Sequence, residues 1–463
     1  MAKKKKEELN LYWDNRAVEQ ERKMHDQLPD LEKKVFDAYA TSQKYLTKQA
    51  TNIYERYLRE ANGDKEYVKK VLNTTIEPSE LVELQSLAKT IEDPYIKKQV
   101  KTYLDGLSAK FRITRLEDLK AKAYITSKRI ADLQQIKQTD FYIDVIQEAY
   151  NESAAEAIIG RTEKKWVQPN ELEPQPYKYK SKDNVIEIVD WQTGTIDRTI
   201  SLKKDLPFKF KELSTNETRN ILDTKFYGKN YSEAIWGDTD RLANRLQELF
   251  TVESMTGMSE MEMARELQSE FNVASNIAKR LIRTEANLVS NQAKLKGWEK
   301  HGVLEYVIVA VLDFRTSKIC QEQDGKKYKI VDAKLAVNYP PFHAWCRTVV
   351  RAYFGKSTLS GTRTANNPIT GEQFTISMTD TYKDWEKDII AQSGKKDMIL
   401  EKRKVRNFTM DKNQYDKYKG LLPEKDVPSS LDAFQNLKYT DKEKWEKLKE
   451  LYRKTYYSKR STA

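Results

Sequence analysis

The sequence predicts an α+β protein: a mainly helical, elongated N-terminal region, a small mixed α/β domain, and a partly helical C-terminal appendage. Three observations carry this reading. Apolar residues recur at helical spacing over long tracts, and one short β-branched run interrupts them near residue 305. The composition, 33% charged and 39% apolar with a mean hydropathy of -0.79 over 463 residues, suits long exposed helices around a modest core.

The elements follow in order. Leu31, Val35, Tyr39, Leu46, Ala50, Ile53 and Tyr57 fall on one helical face, and Asn62-Gly63 stops the run. Pro78 and Asp93-Pro94 mark breaks, and Thr114-Arg115-Leu116-Glu117 is a capping-box pattern opening a segment that runs to about Ala157. Residues 1–160 therefore read as a basic tail followed by a helical arm or bundle. Residues 161–225 read as a linker: Pro169, Pro174 and Pro176 open it, and VIEIVDWQTGTIDRTISL alternates on either side of a Gly194 turn, predicting an inserted β-hairpin.

Residues 226–355 form the compact domain. Helical periodicity runs from Tyr231 to about Lys300 with an interruption at Gly257, and Val303 to Asp313 reads as a buried strand bounded by Gly302 and Arg315. Residues 356–463 form the C-terminal extension. NNPITGEQFTIS signals a turn and strand there, and Thr440-Asp441-Lys442-Glu443 caps a final helix whose Trp445, Leu448, Tyr452 and Tyr456 share one face.

The net charge of +12 points to an acidic partner, of which nucleic acid is the commonest, although solvated helix surface gives the same balance. Lys3 to Lys6 concentrate basic charge at the start, with no apolar signal region behind them, and no apolar run reaches the roughly 18 residues of a membrane span. Two cysteines in so long a chain suit a reducing compartment and exclude a disulfide scaffold. Nucleotide-binding, hydrolase, metalloprotease and kinase motifs are missing, and three histidines, His25, His301 and His343, are a sparse supply for acid–base chemistry. We expect no catalytic residues.

One element gathers chemistry-bearing residues: LDFRTSKICQEQDG, closed by NYPPFHAWCRT. His343-x-x-Cys346 has the spacing of a zinc knuckle, but the position three before Cys320 is Ser317, which leaves three good ligands and a weak one. A Cys320–Cys346 disulfide is a second option, set by whether the turn brings the two together. A compact turn held by packing and hydrogen bonds is the third, and it is the one expected, with no metal and no cofactor. Asp324-Gly325 reverses the chain into KKYKIVD, and Pro340-Pro341 forces an extended approach to the histidine turn. Asp313 and Arg315 are placed to pair or to bond turn amides, with Arg347 and Arg351 following on an outgoing strand.

These same residues carry a resemblance. RLIRTEANLVSNQAKLKGWEKHGVLEYVIVAVLDFRTSKICQEQDGKKY followed by VNYPPFHAWCRT closely resembles the C-terminal domain of the Mu F-like phage head morphogenesis proteins, minor head proteins of tailed bacteriophages. Arg283-Thr284-Glu285, the Asp313 to Cys320 turn, Asp324-Gly325, and the closure through Asn338, Pro340, Pro341, His343, Trp345, Cys346 and Arg347 all take part. GKNYSEAIWGDTDRLANRL and YWDNRAVEQERK look like the same family, so the likeness is tight over 226–355 and loose over 10–160. Some members carry a fuller C-x-x-C with H-x-x-C-x-C where this chain has Ser317 and Thr348.

The resemblance implies a non-enzymatic, low-copy minor head (minor capsid) protein of the virion. Its expected place is the capsid interior at the portal vertex, after synthesis in the host bacterial cytoplasm, and its expected role is head morphogenesis and genome packaging or delivery. The implied partners are the portal protein, the major capsid or scaffold protein, and double-stranded DNA contacted without sequence preference. The alternative is a phage-encoded enzyme or toxin-like effector, a transferase or nuclease, that uses this domain for packaging into the head. Arg283, Glu285, Asp313 and His343 would then carry the chemistry, against the plainer reading of Glu285 as a helix salt-bridge partner.

Overall fold

The computed structural model describes residues 2–59, 61–62, 64–110, 112–161, 177–180, 185–189, 196–201, 210–354, 362–377 and 379–461. Pro169, Pro174, Pro176 and Gly194 lie outside the described residues, and the side chains of Lys3 to Lys6 and of His25 are likewise outside them.

The protein is α+β and mostly helical. Helix α1 (Ala2–Ile53) has 52 residues and passes into a π-helical turn, Tyr54–Leu58. At 1.5 Å per residue α1 is about 78 Å long, which makes the N-terminal region elongated. Three short helices follow, α2 (Lys65–Leu72), α3 (Pro78–Lys89) and α4 (Pro94–Ser108), the last two starting at the expected prolines. Helix α5 (Arg115–Arg161) is opened by the expected capping box: Thr114 N donates to the Glu117 carboxylate at 2.9 Å, and Glu117 N to Thr114 Oγ1 at 3.2 Å.

Within the insertion, β2 (Val185–Val189) and β3 (Ile196–Ser201) pair antiparallel as the hairpin, and β1 (Tyr177–Lys180) adds a third strand on β2. The sequence expected two strands. The third comes from YKYK, whose alternation is too short to stand out alone.

Helices α6 (Thr215–Leu222), α7 (Tyr231–Leu249), α8 (Val252–Gly257) and α9 (Glu260–Lys300) follow, with the break at Gly257 where the sequence put it. Four long helices, α1, α5, α7 and α9, pack on one another. A single apolar cluster from Met24 to Ala293 unites them, with Leu31, Val35, Tyr39, Leu46 and Ala50 of the expected face all buried. The bundle thus takes helices from both sides of the insertion. Helices α5 and α9 approach so closely at Gly297 that a β-carbon there would stand 1.9 Å from Ser153 Oγ and 3.1 Å from the Tyr150 carbonyl.

After α9 the chain forms a small antiparallel sheet of order β5-β4-β6, from β4 (Glu305–Val309), β5 (Lys327–Lys329) and β6 (Val349–Tyr353), with the short helix α10 (Lys318–Gln323) between β4 and β5. The strand expected from Val303 to Asp313 stops at Val309 because the next amide, Ala310 N, is taken by Asp324 Oδ1 at 2.7 Å rather than by a neighbouring strand. Glu156 of α5 ties this sheet to the bundle, accepting from Trp298 Nε1 at 2.9 Å and from Ala352 N at 3.1 Å.

The C-terminal extension starts with the expected turn and strand, β8 (Gln373–Ser377), paired with a strand the sequence did not announce, β7 (Thr362–Asn366), and continues as α11 (Tyr382–Ser393), α12 (Lys395–Leu421), α13 (Leu431–Thr440) and α14 (Lys442–Ser461). Trp445 and Leu448 of α14 are buried and Tyr452 packs beside them, whereas Tyr456 is exposed. The cap of α14 is Asp441, whose Oδ1 accepts from Lys444 N at 3.0 Å; Thr440 instead turns back to the Asn436 carbonyl. No helix among the described residues is long and apolar enough to cross a membrane.

Candidate functional site

Two chain segments converge beside the small sheet. The first leaves β4 through a turn built on Asp313. Its Oδ1 accepts from Arg315 N and Thr316 N, each at 2.9 Å, and from Thr316 Oγ1 at 3.0 Å. The Arg347 guanidinium clamps the same carboxylate with two bonds, of 2.6 and 2.8 Å. Burial pushes the Asp313 carboxyl up, but Arg347, Thr316 and the turn amides outweigh it and hold it below its ordinary value. Arg315, the partner the sequence placed beside Asp313, contributes its amide to this carboxylate, and the paired cation is Arg347.

Ser317 then caps α10, accepting from Cys320 N at 3.4 Å, and the helix places the Cys320 sulfur inward. Beyond it, Asp324 fixes the reversal: Oδ1 holds Ala310 N, Oδ2 accepts from Tyr382 N at 2.7 Å, and Gly325 takes the left-handed φ of 75° that the turn needs.

The second segment enters over buried Tyr339, whose hydroxyl donates to the Asn291 carbonyl of α9 at 2.7 Å, and passes through a cis Pro340-Pro341 bond. Trp345 N donates to Thr284 Oγ1 at 3.1 Å, docking the histidine turn on α9. His343 Nδ1 donates to the Ala344 carbonyl at 2.7 Å, and Nε2 faces the first segment. That nitrogen lies 2.7 Å from Ser317 Oγ and 3.2 Å from Cys320 Sγ. Cys320 and Cys346 are both buried free thiols with their sulfurs 3.8 Å apart. The hydrogen bond between them holds the Cys320 thiol below its ordinary value and the Cys346 thiol above it.

The four residues named for the enzyme alternative do not form one constellation. Asp313 is bound to Arg347 and His343 to Ser317 and Cys320, while Arg283 reaches across to α1 and grips Glu32, with Lys279 3.3 Å from the same carboxylate. Glu285, expected to be a helix salt-bridge partner, is instead buried inside the bundle and forms no ion pair among the described residues; burial raises it to about 8. Glu32, Glu156, Thr284 and Asp324 all matter here beyond what the sequence revealed. Their partners lie far along the chain, so only Asp324, through its turn dipeptide, left a local signal.

No curated protein and no solved structure matches the chain. Residues 244–351 match the model of the family described as Phage Mu protein F like protein, so the segment that carries both converging limbs, from within α7 through β6, is Mu F-like, as its sequence resemblance indicated.

Proposed function

We propose that the protein is a minor head protein of a tailed phage, incorporated in few copies at the portal vertex and acting in head morphogenesis and genome packaging or delivery. The observation that carries this reading is the match over 244–351, reinforced by the packing of α9 from that segment into one bundle with α1 and α5. The two stretches that resemble the family, 10–160 and 226–355, are thereby parts of one body. Its partners on this reading are the portal protein and a capsid or scaffold protein.

Contact with packaged DNA is the finer part of the proposal, and charge placement supports it. The first 30 residues hold seven lysines and arginines against seven acidic residues, so their basic tip is local. Residues 395–461, which make up α12 to α14, hold 19 basic against 11 acidic residues. Arg453 and Lys454 lie exposed on α14. This surface suits phosphate neutralisation without base reading.

Co-expression with the portal and capsid proteins of the same phage, followed by counting this chain per purified procapsid, tests the assignment. A few copies retained only with portal are expected; absence from procapsids would defeat it. For DNA, affinity for a duplex of arbitrary sequence is expected to fall steeply with salt and to weaken in Arg453→Gln/Lys454→Gln. Affinity that stays flat from low to moderate salt would remove the DNA part alone.

A further inference from the structure

The geometry points to a metal site: Cys320, His343 and Cys346 bind one zinc-class divalent ion, with the fourth position taken by water or by the Ser317 hydroxyl. This goes beyond the head assignment and does not depend on it. The three ligand atoms all lie within 4.8 Å of one another, brought together from segments 26 residues apart. A tetrahedral ion with metal–sulfur bonds of about 2.3 Å and metal–nitrogen bonds of about 2.0–2.1 Å sets its ligands about 3.8 Å apart for two sulfurs and about 3.5 Å for sulfur and nitrogen. The sulfurs stand 3.8 Å apart and Cys320 Sγ to His343 Nε2 is 3.2 Å, so the two edges that meet at Cys320 lie within a few tenths of an ångström of that geometry, while His343 and Cys346 close the set within 4.8 Å.

Two further features belong to a metal ligand set. The Ala344 carbonyl fixes the histidine tautomer through Nδ1, the support that metal-binding imidazoles ordinarily have, and leaves Nε2 beside the Cys320 sulfur. Ser317 stands 2.7 Å from that same nitrogen while capping the helix that carries Cys320, so its oxygen lies beside the ligand set as a candidate fourth donor. Cys320 and Cys346 are each only 2% exposed. Two thiolates would balance the charge of the ion, and the nearby Arg347 cation is already matched by Asp313. A disulfide would need the sulfurs at about 2.05 Å, and they are well beyond that. The sequence alone favoured the metal-free turn because one knuckle lacked its cysteine; the fold supplies what spacing could not, the convergence of all three ligand atoms within 4.8 Å of one another.

The test uses the full chain, purified under reducing conditions without chelator from zinc-supplemented medium. Elemental analysis is expected to give close to one zinc per chain. Cobalt replacing zinc is expected to show thiolate-to-cobalt charge-transfer bands and the intense visible bands of tetrahedral coordination, both lost in His343→Ala and in Cys346→Ser. Because those variants risk misfolding, Ser317→Cys is the second arm. It completes a Cys3His set and is expected to raise zinc affinity at least tenfold and to strengthen the charge-transfer band by adding a thiolate. Wild-type chain that takes up neither ion, with Ser317→Cys no better, overturns the site. So does a chain that, with zinc present, is readily oxidised to a Cys320–Cys346 disulfide.

Discussion

The four-helix bundle and the Asp313–Arg347 turn element are held by different kinds of force. In the bundle, stability is spread over dozens of apolar side chains at helical spacing, from Met24 to Ala293, and each contributes a small part. In the turn element, one carboxylate accepts from two amides, a hydroxyl and a guanidinium, and three metal-competent side chains meet at one point. Distributed burial tolerates single changes, whereas directed contacts concentrate the cost in a few atoms. Glu285 and Gly297 depart from this pattern, and both mark where helix α9 meets α5.

The largest effect expected is at Glu285. In the unfolded chain its carboxyl ionises near its ordinary 4.5, but in the fold it keeps its proton to about 8, with Tyr142 the ionisable group beside it. Unfolding between these values releases a proton, so stability falls as pH rises from about 4.5 to 8 and then levels. Glu285→Gln removes that slope. We expect it to be neutral at pH 4.5 and stabilising by roughly 4 kcal/mol at pH 8, read from urea midpoints across pH. A variant that tracks the wild type at both ends would mean that this carboxyl is solvated.

Next comes Asp313→Ala, expected to cost about 3 kcal/mol, because Arg347 loses its partner and two turn amides lose their acceptor in a partly buried setting. The loss should be local, with hydrogen exchange rising over 310–320 while the bundle stays protected. If exchange rises in α5 and α9 instead, the two regions fold as one and the contrast fails.

Gly297→Ala is expected to cost about 2 kcal/mol by overpacking, since its new methyl meets Ser153 and the Tyr150 carbonyl. Adding Ser153→Ala should recover part of the loss, because the Cβ and the carbonyl stay in place. The smallest effect is at the capping box: Thr114→Ala should cost about 1 kcal/mol and fray only the start of α5.

What the sequence revealed and what it hid follow the same division. Helix faces, the Thr114–Glu117 box, the Gly325 turn, the hairpin of the insertion and the turn and strand at 366–377 rest on residues within a few positions of one another, and each was legible. The pairing of Asp313 with Arg347 depends on the return of the chain 34 residues later, and the sequence suggested instead the neighbouring Arg315. Glu285 misled for a related reason: helical neighbours suggest an ion pair, but burial is decided by α5 packing more than a hundred residues upstream. At the candidate site, spacing disclosed the ligand types; only the closure of segments 317–320 and 343–346 disclosed that they meet.

Asp324 gives one of its carboxylate oxygens to Ala310, the residue just past β4, and the other to the residue that begins α11. Tyr382 returns the favour with its hydroxyl on the Asp313 carbonyl at 2.9 Å, and Phe314 joins Tyr382 and Trp385 in one apolar cluster. Anyone cutting the gene to obtain the Mu F-like segment alone therefore has no clean boundary at residue 351. A fragment ending there would expose Phe314 and strip Asp324 of an amide, whereas one carried through the end of α11 keeps both, so the workable unit for expression is longer than the stretch that sequence kinship delimits.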